Sequence, residues 1–148
     1  MIHIRRATAP DVEQIVAMLA DDHLGRDRES PGDQARYARA FDAVDADPNQ
    51  FLAVAEDGGE VVGTLQLTFI PGLSRRGARR AMVEGVRVRA DRRGGGLGAQ
   101  LMKWAVEEAR RRDCALVFLT SDASRDGAHR FYRRLGFAQS HLGFKLLL

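Results

Sequence analysis

Val86-Arg87-Val88, followed after three residues by Arg92-Arg93-Gly94-Gly95-Gly96-Leu97-Gly98-Ala99, is the stretch that decides the fold. A strand-like run ends, glycines follow, and a helical pattern opens at once. Leu97, Leu101, Ala105 and Ala109 repeat every four residues, and Met102 and Val106 widen the apolar stripe. The first amides of such a helix have no carbonyl partners and point outward. The aligned peptide dipoles add about half a positive charge there. Glycines let a phosphate approach the backbone without a Cβ in the way. Arg92 and Arg93 add charge on the same side. The segment is suited to a diphosphate.

Two familiar phosphate motifs do not account for it. Gly94-x-Gly96-x-x-Ala99 formally matches a dinucleotide fingerprint. That fingerprint needs a βαβ unit and an acid about 20 residues on, whereas Asp122 lies further away, beyond the next strand. An antiparallel hairpin precedes the loop, and too little chain follows it for a second nucleotide half. No Lys-Ser or Lys-Thr follows the glycines, so the Walker pattern is absent.

Working outward, Ile2–Arg6 reads as a short strand. Thr8 is a suitable N-cap, with Pro10 and Asp11 in the first turn. Val12, Ile15, Val16 and Leu19 then form a helical stripe. Asp21–Gly32 is polar and loop-like, and 33–45 predicts a second helix with Tyr37, Phe41 and Val44 on one side. Phe51–Ala55 and Val61–Phe69 are β-rich around Asp57-Gly58-Gly59, a hairpin signal. Pro71-Gly72 turns the chain into a basic loop over 75–80, and Ala81–Val88 reads as a strand. Beyond the long helix, Ala115–Thr120 is continuously apolar, the mark of a strand at a sheet centre. Ser124 or Asp122 can cap a further helix through Phe131 and Tyr132 to Leu135, with Gly136 as its C′ residue. Phe137–Leu148 is expected to return as one or two strands. The pattern is α/β with a mixed sheet, expected as one domain over residues 1–148.

Composition narrows the setting. The chain has 148 residues, 45% hydrophobic and 29% charged, ordinary for a globular protein. No apolar run approaches the ~18 residues of a membrane span, and the start lacks a leader-like apolar run. The single cysteine, Cys114, fits a reducing compartment and reads as a buried strand-start residue. A cytoplasmic location is expected. The net charge of +3 hides an asymmetry: residues 1–60 carry six Arg against thirteen Asp or Glu, and residues 61–148 carry seventeen Lys or Arg against seven. The basic half suits a polyanionic partner or a phosphorylated cofactor.

Arg93-x-x-Gly96-x-Gly98, set after Val86-Arg87-Val88, resembles the pyrophosphate loop of the GNAT family of N-acetyltransferases. Ala128-His129-Arg130-Phe131-Tyr132-Arg133-Arg134-Leu135-Gly136-Phe137 resembles that family's C-terminal helix and strand motif. The order of elements matches along essentially the whole chain. The resemblance implies a mostly antiparallel central sheet with one splayed strand pair, flanked by about four helices. It implies acetyl-CoA as cosubstrate, a primary amine as acceptor, and direct attack in a ternary complex. The strand at Val86, Arg87 and Val88 would pair with the pantetheine arm near a bulge. The amides of Gly94, Gly95, Gly96, Leu97, Gly98 and Ala99, with Arg93, would hold the pyrophosphate. Arg125 stands where many relatives carry an Asn that touches pantetheine or substrate.

Tyr132 matches the family's general acid: a phenol with a pKa near 10 is protonated at neutral pH and can donate to a leaving thiolate. Glu84 is the candidate base, an acid expected to share a strand face with Val86 and Val88. The alternatives are an aromatic core role for Tyr132 and a structural ion pair for Glu84. His129 shares a helix face with Tyr132, and His141 lies in the last expected hairpin; neither has a compelling role. No residue spacing suggests a metal site.

The Ala-His-Arg-Phe-Tyr block, with Gln139-Ser140-His141 after it, resembles the aminoalkylphosphonate N-acetyltransferases and points to a small-molecule amine. The acceptor pocket would be lined by the 71–80 loop and the first two helices. A protein N-terminus or lysine is the alternative acceptor. A non-catalytic CoA sensor is disfavoured by the presence of Tyr132. A nucleic-acid partner is not expected, because Arg110-Arg111-Arg112 lacks interleaved aromatics. A homodimer is compatible with the sequence.

Overall fold

The computed structural model describes residues Met1–Leu148. Its elements follow one another as β1 (Ile2–Arg6), α1 (Val12–Ala20), the single turn α2 (Gly25–Arg28), α3 (Gln34–Ala46), β2 (Gln50–Asp57), β3 (Glu60–Ile70), the single turn α4 (Ser74–Gly77), β4 (Arg79–Val88), α5 (Leu97–Arg111), β5 (Cys114–Leu119) and α6 (Asp126–Arg134). The five strands lie in sequence order in one sheet. Three neighbouring pairs are antiparallel, and β4 with β5 is parallel. The expected α/β architecture, mixed sheet and four substantial helices are present.

The stripe on α5 does what its period demands. Leu97, Leu101, Met102, Ala105 and Ala109 are buried against Leu65, Leu67, Phe69, Ala81 and Val83 of the sheet. On the opposite face, Ile15 and Met18 of α1 pack with Ala7, Val54 and Val61, and Phe41 of α3 lies against them. Ion pairing fixes the start of α1. Arg5 of β1 donates to both carboxylate oxygens of Asp11, at 2.7 and 3.1 Å, and Asp11 accepts the Thr8 amide at 2.8 Å. The same arginine reaches Glu56 of β2, so one guanidinium ties the edge strand, its neighbour and the helix entry.

β4 is not a regular strand. Gln66 of β3 pairs with Glu84 and Thr64 with Arg87, so Gly85 and Val86 together occupy the one place opposite Leu65. This is a bulge, and Gly85 adopts φ +63°, a left-handed conformation that a side chain disfavours. The extra residue reverses the alternation. Ala81 and Val83 belong to the α5-side core before it, and Val86 and Val88 pack on that same core after it. Glu84 therefore faces the other side of the sheet and is exposed, contrary to the expectation that it shares a face with Val86 and Val88. Pairing between β4 and β5 ends at Val83 and Leu119. Beyond that point the strands part, and the α5-side face of β4 lines a cleft.

Other expectations are corrected. The apolar run at 115–120 forms β5, but β5 is the sheet edge rather than its centre. Phe137–Leu148 forms no strand: residues 138–148 are exposed and lack regular structure, because no strand of the same chain lies beside them. Arg79 and Arg80, placed by sequence in the basic loop, extend β4. The α6 N-cap is Arg125; Asp122 instead closes the preceding turn, accepting from the Ser124 amide at 3.0 Å.

The turn after α1 is sterically closed. A Cβ on Gly25 would lie 1.9 Å from the backbone oxygen of Leu19, whereas one on Gly32 would meet nothing within 4 Å. Gly25→Ala is expected to lose about 1–3 kcal/mol, a Tm fall of at least about 3 °C in a thermal melt. Gly32→Ala serves as the neutral control, and equal melting of the two variants would contradict the steric account.

Candidate active site

A cavity of about 710 Å³ opens where β4 leaves β5, between the start of α5 and the inner face of α6. Its floor is Val86, Arg87 and Val88, one wall is the loop from Arg92 to Ala99, and the other is α6 with Phe131 and Tyr132. Nearly every residue assigned to cofactor contact on sequence grounds lines it: Val86, Arg87, Val88, Arg93, Gly94, Gly96, Leu97, Gly98, Ala99 and Arg125. Gly95 lies within the same loop without lining the cavity, and Glu84 lies outside it.

The glycine loop leaves the start of α5 open. Gly96 is the N-cap of α5 at φ +83°, and Gly94 has φ +81°. A Cβ at either position would meet nothing within 4 Å, so the glycines leave open space over the helix N-terminus. Arg92 and Arg93 hold the loop's flanks: Arg92 pairs with Asp57 at 2.8 Å, and Arg93 donates to the Val88 and Asp21 carbonyls at 3.2 and 3.3 Å. Gly98, one residue inside the helix, allows Phe131 of α6 to approach to within 3.4 Å of where its Cβ would be.

Tyr132 is held by its own helix end. The Phe137 amide donates to the Tyr132 carbonyl at 3.1 Å, and the Gly136 amide to that of Arg133 at 3.0 Å. Gly136 has φ +97°. These are the two crossed bonds of a Schellman closure, with the usual apolar contact supplied by the Tyr132 and Phe137 rings, 6.0 Å apart. Phe131 meets Tyr132 edge-on at 5.2 Å. Burial pushes the phenol above its ordinary value, while Arg87 and Arg125 pull the other way. The hydroxyl is therefore protonated throughout the neutral range. His129, on the same helix, bonds the Asp122 carbonyl through Nε2 at 2.9 Å, and His141 lies on the exposed segment beyond α6.

The residue that sequence reasoning missed is Asp22. One of its oxygens accepts from Arg125 at 3.0 Å and lies 3.4 Å from Arg87; the other accepts the Leu24 and Gly25 amides. The side chains of Asp22, Arg87 and Arg125 are only 16%, 20% and 20% exposed. Burial alone would raise the Asp22 carboxyl. The Gly25 amide, Arg125 and Arg87 outweigh it and hold the group at about 2. Arg87 is drawn below the usual guanidinium range by its burial, partly offset by Asp22, and its Nε is buried without a partner. Asp22 thus links the end of α1 to β4 and to the α6 N-cap. Its two cationic partners lie far away in sequence and no local pattern announces them.

Comparison with known proteins identifies an acyl-transferring enzyme. The model of the Acetyltransferase (GNAT) family matches residues 12–137, and the chain belongs to that family, whose acetyl donor is acetyl-CoA. It is 33% identical over 141 residues to the aminoalkylphosphonate N-acetyltransferase of Salmonella typhimurium, covering 95% of this chain and 88% of the other. It is 30% identical over 138 residues to an L-methionine sulfoximine/L-methionine sulfone acetyltransferase of Pseudomonas paraeruginosa, covering 90% and 78%. Among solved structures, a protein from Bacillus halodurans C-125 described as a transcriptional regulator superposes with a TM-score of 0.96 at 48% identity over 100% of both chains.

Asp22 has a depressed folded-state pKa, so its contribution to stability is full above the ordinary carboxylate value near 4 and is lost as pH falls through about 2. Asp22→Asn is expected to melt well below the wild type at pH 5, with the gap narrowing as pH falls toward 2. A gap independent of pH in parallel thermal melts would show that the charge of Asp22 is not what stabilises the cluster.

Proposed function

We propose that the chain transfers the acetyl group of acetyl-CoA to the primary amine of a small molecule that also carries an acid group, by direct attack in a ternary complex. The observation that carries this reading is the convergence of Tyr132, the glycine loop at the α5 N-terminus and the Asp22–Arg87–Arg125 cluster on one cavity. The loop amides and Arg93 would hold the diphosphate, and the freed edge of β4 at Val86–Val88 would pair with the pantetheine amides. Attack by the amine nitrogen forms the new C–N bond, the C–S bond breaks, and Tyr132 gives its hydroxyl proton to the departing sulfur.

Glu84 stands one residue past the last β4 position paired with β5, on the sheet face away from α5. An acceptor reaching the cleft from the α1 side would meet it there, which suits a carboxylate that attracts the ammonium and takes its proton directly or through water. The Asp22 cluster sets two guanidinium groups against one carboxylate. That excess of one positive charge favours an acceptor with an anionic group. The names of both curated relatives describe compounds of this kind, an aminoalkylphosphonate and amino-acid derivatives.

Nucleic-acid binding is the reading invited by the description of the Bacillus halodurans protein. The most basic run of the chain argues against it. Arg110 pairs with Glu107 at 2.5 Å, and Arg111 and Arg112 both pair with Glu108, so these charges are largely neutralised by their own helix.

The direct test is a CoA-release assay with acetyl-CoA across aminoalkylphosphonates, methionine sulfoximine, polyamines and peptide N-termini. Turnover concentrated on the amino acids and aminophosphonates is expected; preference for polyamines or peptides would overturn the acceptor assignment. On the best acceptor, Tyr132→Phe is expected to lower kcat by about 10²–10⁴-fold while CoA affinity by calorimetry stays within about threefold. A kcat within twofold of wild type would mean that water or another group protonates the thiolate.

Glu84→Gln is expected to reduce kcat most at neutral pH, with recovery as pH rises and free amine accumulates. Parallel pH–rate profiles for variant and wild type would leave Glu84 a structural residue.

A further inference from the structure

β5 and the segment beyond α6 carry complementary unmet needs. Cys-Ala-Leu-Val-Phe-Leu, residues 114–119, is apolar on both faces, the composition of a strand flanked on both sides. In the single chain β5 bonds to β4 alone and its other edge is free. Leu116 and Phe118 remain partly exposed. An open, apolar edge is a template for another strand.

The segment after Gly136 has the opposite deficiency. Leu142, Phe144, Leu146 and Leu148 alternate with His141, Gly143, Lys145 and Leu147, the period of a half-buried strand. Yet Leu142, Phe144, Leu146, Leu147 and Leu148 are each at least 82% exposed. No backbone hydrogen bond involves residues 138–148. Its polar contacts are local, Arg133 to Gln139 and Ser140 to His141. An apolar strand pattern held away from its own chain needs a surface outside that chain.

The Bacillus halodurans structure superposes over 100% of this chain at a TM-score of 0.96.

We propose that two copies of the chain exchange residues 138–148, each adding this segment as a strand to the free edge of its partner's β5. The occupant is a second copy because the chain itself supplies both halves of the pairing, and a two-fold axis satisfies both edges at once. Exchange would also make β5 an internal strand, as its composition requires.

Light scattering after gel filtration at tens of micromolar is expected to give about 33 kDa, twice 16.4 kDa. Hydrogen–deuterium exchange of that dimer is expected to slow the amides of 141–148 by at least about tenfold relative to an unstructured peptide. Leu142→Asp/Phe144→Asp is expected to give a folded monomer with both the segment and the outer β5 amides exchanging fast. The substitutions touch no core residue, and circular dichroism verifies the fold. A wild-type monomer, including one whose segment is protected by pairing within the chain, overturns the proposal. So does a dimer whose 141–148 amides exchange freely, or one that survives the double substitution.

Discussion

The rest of the site depends on one extra residue in β4. Gly85 and Val86 share a single position opposite Leu65, and the strand can absorb the insertion because Gly85 accepts φ +63°. From that point β4 keeps its bonds to β3 and loses them to β5. The parting strands open the sheet, expose a row of backbone groups, and set residues on either side of the bulge onto opposite faces. Val86 and Val88 then floor the cavity while Glu84 faces away from it. Without the bulge, strict alternation from Ala81 and Val83 would turn Val86 and Val88 to the α1 side and away from the α5-side core.

Charge holds the opened region together. Removing two guanidinium groups from water is unfavourable unless they are paired, and here both converge on Asp22, which lies 103 positions from Arg125. Each member comes from a different element: the end of α1, the bulged strand and the α6 cap. The cluster therefore fixes the spacing of the cavity walls, and its net positive charge acts at the same place as the Tyr132 phenol. Burial and the two cations work in opposite directions on that phenol, and burial is the stronger, which leaves it protonated at neutral pH.

Much of this was legible in the sequence. The four-residue repeat of α5, the glycine loop and the Gly136 stop follow from local rules about period, sterics and capping, whereas Tyr132 stood out through the family resemblance of its motif. The bulge was partly legible: an isolated glycine within a strand pattern is its usual signal, and Gly85 carried it. Reading strict alternation through that glycine put Glu84 on the wrong face. Asp22 left no local trace, because its meaning comes from partners that only tertiary folding brings near. The expected return of Phe137–Leu148 as strand fails in the single chain, because composition describes a strand and not its neighbour. The edge position of β5 has the same origin, since composition reports how much burial a strand wants without naming what provides it.

The contact between Gly98 and Phe131 has a consequence in evolutionary terms. A methyl group at 98 would stand 3.4 Å from the ring at 131, in van der Waals contact with it. One position belongs to the helix that opens at the glycine loop and the other adjoins Tyr132, so two walls of the cavity meet at this contact. A lineage can place a methyl group at 98 without moving the ring, and only a bulkier side chain would press on residue 131. Drift at 98 is thereby confined to small side chains for as long as the ring at 131 stays in place.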